Sequence, residues 1–251
     1  MPFRAALLLL AALSVLSGAE KRVLVYTRNY TPDGKGYVHD NIATAVEAIR
    51  KMGAENHFAV DHSDSPSVFT DANLKTYAAL VFASSNNEAF ENDDQRNAFQ
   101  RYIRGGGGFA GIHSATGSER KWPWYWSMIG GSFSRHPKLQ TFVVQVKDAH
   151  HPSTRGLPST FEWTDECYYH KEMNPDLKVL LVTDPRKLDD PKWAESPGTT
   201  VDGMIPLAWY HNFEGGRVYF IALGHKKEHY SDPLLYGQIL GGIEWAMGVQ
   251  K

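Results

Sequence analysis

His113 occupies a position in the sequence that carries the nucleophile in many α/β enzymes. It follows a short apolar run, Phe109–Ile112, which itself comes after a helical pattern that ends in four glycines. In an open α/β sheet, ligands bind at the carboxyl ends of the strands. A polar side chain on a tight turn between strand and helix projects into that crevice, as serine does in the nucleophile elbow. An imidazole there suits metal binding or general-base catalysis better than covalent attack.

A second strand pattern near the C-terminus ends in the same way. Arg217–Leu223 is an apolar run that leads into Gly224 and His225. If both strands belong to one parallel sheet, their carboxyl ends share an edge, so we expect His113 and His225 to meet in one crevice. His39, which follows the first predicted strand, and His136, which precedes a proline, are further candidates for this crevice.

A bound metal is one explanation for several histidines in one crevice. Three imidazoles with a carboxylate suit zinc or another divalent transition metal, and we take His113, His225 and His136 as candidate ligands. The same imidazoles can act as acids and bases without a metal, because their reference pKa lies near ~6.5. The sequence leaves both alternatives open.

Two adjacent acidic residues, Asp165 and Glu166, lie between aromatic residues. On a strand they would face opposite ways, so only one of them can enter a site. Since a carboxylate can act as an acid or a base, we take Glu166 as a catalytic candidate together with His113 and His225. A solvated pair of charges is the alternative interpretation.

Aromatic residues are candidates for contact with a substrate. Flat apolar rings suit the C–H face of a sugar ring, and they suit a hydrophobic core equally well. Among the seven tryptophans, we select Trp124 and Trp209 as the rings that would stack on a sugar. The single cysteine, Cys167, excludes an internal disulfide and is expected to be an inert buried thiol.

The elements that position these residues alternate between strands and helices, which predicts an α/β fold with a mostly parallel central sheet. Gly53 is predicted to end the first helix, Asn92 and Gln95 to form a capping box, and Asp232-Pro233 to begin the last helix. A polar loop is predicted over residues 184–204. Strand patterns lie at residues 22–27, 58–61, 77–84, 109–112, 140–147, 178–183 and 217–223.

Composition and the N-terminus limit the functional classes. The net charge of −2 argues against a nucleic-acid partner or an anionic membrane surface, because both favour clustered lysine and arginine. Residues 1–19 combine Arg4, an apolar run and small residues before Glu20, which is typical of a secretory signal peptide. We therefore expect a periplasmic or secreted protein whose mature form, residues 20–251, is one domain without a membrane anchor.

These motifs, taken in order along the chain, resemble the trehalose-utilisation, or ThuA-like, family. The matching segments are Val-Leu-Val-Tyr-Thr followed by His39, Gly-Gly-Gly-Phe-Ala-Gly-Ile-His113, Gly-Gly-Ser-Phe-x-x-His136-Pro, His151-Pro, Asp165-Glu166-x-Tyr168, Pro206-Leu-Ala-Trp209 and Gly-Arg-Val-Tyr-Phe-x-Ala-Leu-Gly-His225. The resemblance implies a flavodoxin-like, class I glutamine amidotransferase-like fold, which is a three-layer sandwich. It also implies that His113 stands where the amidotransferases have their cysteine, so amidotransferase chemistry is not expected.

The resemblance further implies carbohydrate processing, for example cleavage of a disaccharide or of an oxidised 3-keto glycoside by a hydrolase or lyase. In that scheme His113, His225 and Glu166 would be catalytic. The residues expected to contact the sugar are His39, His136, Tyr168, Trp124 and Trp209. There are two alternatives: a non-catalytic carbohydrate-binding protein, and a domain that has lost catalytic activity and binds a protein partner. Formation of a homo-oligomer is left open.

Overall fold

The computed structural model describes residues 20–195 and 200–249. The predicted signal peptide, residues 1–19, lies outside the described residues. Within the described part, a nine-stranded sheet forms the centre of the fold, beside two small two-stranded sheets. The strands are β1 Lys21–Tyr26, β2 Asn29–Tyr30, β3 Phe58–Ser63, β4 Ala79–Ala83, β5 Asn86–Asn87, β6 Gly108–Ile112, β7 Ser132–Arg135, β8 Gln140–Val146, β9 Thr160–Asp165, β10 Tyr169–Lys171, β11 Lys178–Thr183, β12 Ile205–Phe213 and β13 Gly216–Ile221.

The first half of the large sheet consists of five parallel strands. Their order is β3, β1, β4, β6, β13. Numbered along the chain, this is the 2-1-3-4-5 order of flavodoxin-like folds. Every residue of β4 and β6 is buried, as expected for strands covered on both faces. The predicted α/β class is therefore confirmed.

The second half of the sheet is antiparallel. Strands β12, β11, β8 and β9 continue from β13, each antiparallel to the strand before it. The sequence patterns did not predict β12, although at nine residues it is the longest of the described strands. Its second residue is Pro206, which pairs with Val182 where the register of β11 and β12 is irregular. Such an irregularity is where a strand tolerates a residue without an N–H group.

Helices cover both faces of the sheet and complete the expected three layers. Because side chains of a strand alternate between faces, Val23 and Val25 of β1 pack into one buried cluster and Leu24 and Tyr26 into the other. The first cluster includes residues of α1 and α5, and the second includes residues of α3 and α4. The helices are α1 Ile42–Asn56, α2 Asp71–Leu74, α3 Asp93–Arg104, α4 Pro123–Ile129 and α5 Pro233–Ala246. None of the helices described is long and apolar enough to span a membrane.

Two of the three predicted helix boundaries agree with the structure. The Asn92 side chain accepts the N–H of Gln95 at the start of α3, and Asp232 accepts the N–H of Leu234 at the start of α5. The predicted capping box is only half formed, because the Gln95 side chain accepts the N–H of Glu91 and not that of Asn92. The prediction that Gly53 ends α1 is wrong, since α1 continues to Asn56. A Cβ atom at Gly53 would lie 2.5 Å from the carbonyl oxygen of Phe58, so this glycine allows α1 to approach β3.

Candidate functional site

The elbow at the end of β6 directs His113 into the crevice above the sheet. His113 adopts a φ of +54°, which is uncommon for a residue other than glycine, and it begins a short 3-10 turn, His113–Gly117. The strand beneath it is tightly packed, since a Cβ atom on Gly111 would lie 3.0 Å from the side chains of Phe220 and Ile129. The imidazole of His113 is fully buried at the carboxyl end of the sheet.

The hydrogen bonds of His113 assign its tautomer. Nδ1 lies 2.8 Å from the carbonyl oxygen of Ala222, which can only accept, so Nδ1 carries the proton and donates. Nε2 therefore presents a lone pair. The hydroxyl of Tyr168 lies 2.9 Å from this atom and donates to it. Burial lowers the pKa of His113 to about 3, so its imidazole is neutral near pH 7.

His39 faces His113 across the crevice from the segment between β1 and α1. The Ser114 hydroxyl donates to the carbonyl oxygen of Ser85 at 3.1 Å, so its oxygen accepts from Nδ1–H of His39 at 3.2 Å. The Nε2 atom of His39 is then also unprotonated, and it lies 3.1 Å from Nε2 of His113. Burial, together with the neighbouring imidazoles of His113 and His225, lowers the pKa of His39 to about 3.

His225 reaches the same point from the end of β13. Gly224 before it has a φ of +121°, a conformation that favours glycine. Asn41 at the start of α1 donates to the carbonyl oxygens of both Gly224 and His225, at 2.6 and 3.0 Å. Contact with the Glu166 carboxylate raises the pKa of His225. Although His229 follows at a spacing typical of paired metal ligands, its ring packs on Trp163 and lies beside Asp165 instead.

Glu166 supplies a carboxylate to this group of histidines. Its Oε2 atom lies 3.3 Å from Nδ1 of His225 and 3.7 Å from Nε2 of His113, and its Oε1 atom lies 3.6 Å from Nε2 of His136. Burial opposes ionisation of Glu166, but contacts with His225, His136 and His113 outweigh it and lower the pKa to about 2. Glu166 is therefore charged at neutral pH.

Four of these residues could hold a metal ion. One ligand atom from each of His39, His113, Glu166 and His225 lies within 4.8 Å of all the others, and we call these four residues the ligand cluster. The ligands expected from the sequence are His113, His225 and His136. The structure brings the first two together, whereas His136 is exposed, lies outside the cluster and stacks on Tyr168 with ring centroids 5.6 Å apart.

A small cavity opens beside the ligand cluster. Its volume is about 260 Å³, and its walls include His39, His136, Glu166 and Tyr168. Several other wall residues were not predicted from the sequence. Their proximity to the recognised motifs could have identified two of them, because Ser114 follows His113 directly and Phe133 lies within the motif before His136. The wall residues missed are Tyr37, Asn86, Ser114, Gly117, Arg120 and Phe133.

The two selected tryptophans do not lie in this cavity. Trp209 on β12 is completely buried, donates from Nε1 to the carbonyl oxygen of Ile129 and packs against Phe220. Trp124 donates to Glu214 in the turn between β12 and β13, at the end of β13 opposite to His225. The prediction that these rings stack on a sugar in the crevice is therefore corrected. The alternative interpretation of the rings as packing residues fits both positions.

Comparison with known proteins identifies the fold and the family. A ThuA-like protein from Bacteroides uniformis is 23% identical, with a TM-score of 0.71 over 90% of this chain and 91% of that chain. A ThuA-like protein from Parabacteroides merdae is 20% identical, with a TM-score of 0.67 over 92% of each chain. A Salmonella typhimurium protein described as cytoplasmic is 12% identical, with a TM-score of 0.59 over 90% of this chain and 98% of that chain.

The two ThuA-like neighbours have a glutamine amidotransferase-like fold, in agreement with the expected architecture. No protein among those with curated functions matches significantly in sequence. The family model for ThuA, described as trehalose utilisation, matches residues 22–246. The chain therefore belongs to the ThuA, or trehalose-utilisation, family.

Proposed function

We propose that this protein is a carbohydrate-processing enzyme whose reaction centre holds a divalent metal such as zinc. The observation that carries the proposal is the 3.1 Å separation of the Nε2 atoms of His39 and His113. The hydrogen bonds at each Nδ1 leave a lone pair on both Nε2 atoms. The lone pair of His113 accepts from the Tyr168 hydroxyl when no ion is bound, and a cation between the two nitrogens would attract both lone pairs.

The residues present fit such an ion. Zinc binds imidazole nitrogens at about 2.0–2.1 Å, which places two nitrogens of a tetrahedral site roughly 3.3 Å apart. His225 would supply the third nitrogen, because it belongs to the ligand cluster, and its Nδ1 atom lies 3.3 Å from the Glu166 carboxylate. The three histidines would hold the ion as in catalytic zinc sites, where protein residues leave room for a substrate or water. Glu166 is then free to act as the general base.

The chemistry follows from these roles. A metal bound here supplies a Lewis acid for an oxygen of the sugar. On a 3-keto glycoside, Glu166 removes the proton from C2, which the neighbouring carbonyl makes acidic. The released electron pair forms the C1–C2 double bond, and the bond between C1 and the leaving oxygen breaks. The protonated Glu166 returns its proton to that oxygen. The hydroxyl of Tyr168 donates to the keto oxygen while negative charge develops there.

Two variants separate metal binding from catalysis. We expect His113→Gln to abolish zinc binding, measured by titration calorimetry, and to abolish turnover of 3-keto-trehalose. Glu166→Gln should keep one zinc per chain and lose turnover. His150→Gln is the matched control, because the side chain of His150 is almost fully exposed. Zinc binding at full stoichiometry in the His113→Gln variant would overturn the metal assignment. Saccharide binding without turnover by the zinc-loaded protein would instead identify a carbohydrate-binding protein.

Export is a separate part of the proposal. It is supported by the charged, apolar and small-residue regions of residues 1–19. Expression of the full chain with a C-terminal tag, followed by fractionation and N-terminal sequencing, tests it. A mature chain that begins at Glu20 outside the cytoplasm is expected. An intact N-terminus in the cytoplasmic fraction would contradict export.

A further inference from the structure

A single arginine lies in the wall of the cavity that adjoins the ligand cluster. Arg120 donates from Nε to the carbonyl oxygen of Gly117 at 3.0 Å and from Nη2 to Oδ1 of Asn86 at 3.2 Å. Its guanidinium lies over the ring of Phe133, 5.7 Å from the centroid. These contacts fix the orientation of the guanidinium although the residue is solvent-exposed. We call Asn86, Gly117, Arg120 and Phe133 the arginine subsite.

The charge of Arg120 has no carboxylate partner in the described part of the chain. Both of its hydrogen-bond acceptors are neutral. The acid next to it in sequence, Glu119, pairs with Arg96 at 2.9 Å and accepts the N–H groups of Ala89 and Phe90. Glu166, on the same cavity, faces the three histidines. The cavity therefore presents an oriented guanidinium with unused N–H donors.

An oriented guanidinium is a receptor for an oxyanion. Its planar N–H groups match carboxylate and phosphate oxygens, and a charged acceptor forms a stronger hydrogen bond than a neutral hydroxyl does. The cavity of about 260 Å³ is small among ligand sites, which suits one sugar unit. Tyr37, which is 62% exposed, offers an aromatic surface in the same wall.

We propose that the arginine subsite recognises an oxyanion on the sugar unit, so that the protein acts on acidic carbohydrates. This inference rests on the proposed function, because the sugar unit would lie between Arg120 and the ligand cluster. The anion is a carboxylate, as in a uronic acid, or a phosphate ester. Both present the same oxygen geometry to the guanidinium.

Titration calorimetry with the zinc-loaded full chain tests this recognition. The probes are methyl glucuronide, glucose 6-phosphate and methyl glucoside. We expect the wild-type protein to bind one of the acidic probes at least tenfold more tightly than the neutral glucoside. Tighter binding of the glucuronide identifies a carboxylate and tighter binding of the phosphate ester identifies a phosphate. Arg120→Gln should remove this preference by weakening binding of the preferred acidic probe at least tenfold.

Two controls make the outcome specific. Arg120→Lys keeps the charge without the planar donors and should recover only part of the preference, while Lys121→Gln, on the exposed neighbouring residue, should change nothing. Equal affinity of the wild-type protein for acidic and neutral probes would overturn the inference, as would an unchanged preference in Arg120→Gln. Zinc stoichiometry is measured for every variant. Loss of acidic preference with full zinc binding therefore separates this inference from the metal proposal.

Discussion

The carboxylate of Asp165 accepts the backbone N–H of Gly224 at 2.8 Å. Asp165 is completely buried at the end of β9, and it also accepts from the N–H of His225, the N–H of Glu166 and Nε1 of Trp163. The next residue, Glu166, points into the cavity. The two adjacent acids therefore have different roles. Asp165 stabilises the turn that carries His225, and Glu166 contacts the histidines directly.

Replacement of Asp165 tests whether this residue positions His225. Asp165→Asn keeps the size of the side chain but replaces one accepting oxygen with a donor, which leaves buried N–H groups unpaired. We expect the free energy of unfolding in urea to fall by about 2–4 kcal/mol. Zinc affinity should fall roughly 10- to 100-fold because His225 is displaced. Asp94→Asn on the exposed surface of α3 is the control. Wild-type zinc affinity in Asp165→Asn would exclude the positioning role.

Tyr168 is expected to contribute to turnover of the substrate rather than to the stability of the fold. Tyr168→Phe keeps the ring packed 4.5 Å from the His113 ring and removes the hydroxyl. We expect turnover to fall by about 10²- to 10⁴-fold, the range for loss of a proton donor, with zinc affinity unchanged. Tyr30→Phe removes an exposed hydroxyl and serves as the control. Full activity of Tyr168→Phe would show that the hydroxyl has no part in the reaction.

Trp209 should matter for folding and not for ligand binding. Trp209→Phe removes buried volume and the hydrogen bond to Ile129, so the free energy of unfolding should fall by about 2–3 kcal/mol. Zinc and saccharide affinities of the folded variant should equal those of the wild type. Trp193→Phe, at a residue that is 38% exposed, is the matched control. Weaker saccharide binding without a change in stability would show that Trp209 contributes to ligand binding.

Acid should destabilise the protein through buried neutral histidines outside the site. Burial lowers the pKa of His151 to about 4, below the value of about 6.5 in an unfolded chain. The unfolded chain therefore binds the proton more tightly, and the stability from neutral His151 is complete above pH 6.5. It is lost as the pH falls towards 4, by up to about 3 kcal/mol.

Replacement of His151 isolates its contribution to the pH dependence of stability. His151→Phe keeps an aromatic ring against Tyr210 and Tyr219. In urea unfolding between pH 4 and 7, its free energy of unfolding should depend less steeply on pH than that of the wild type. His150→Gln, which replaces an exposed side chain, should follow the wild-type curve. A wild-type slope in His151→Phe would show that this residue is not responsible.

The sequence by itself determined the α/β class and the place of the crevice. Local patterns sufficed for this, because an apolar run buried on both faces followed by Gly-x-His or Gly-His predicts a strand end that carries an imidazole. Parallel strands share one edge, so the meeting of His113 and His225 followed from the two patterns. Their rings lie 5.4 Å apart between centroids. The alternation of a strand also predicted that only one of Asp165 and Glu166 would enter the site.

Only the tertiary structure decided which residues join that pair. His39 faces His113 because β1 and β6 both border β4 in the sheet, an order that no local pattern encodes. Trp209 is in the core because β12 lies between β13 and β11, and a tryptophan in a sequence looks the same in a core as in a binding site. Arg120 enters the cavity through contacts with Gly117 and Asn86. The contact with Gly117 is local, but Asn86 is 34 residues away in the sequence, so that contact depends on the packing of the whole chain and not on local spacing.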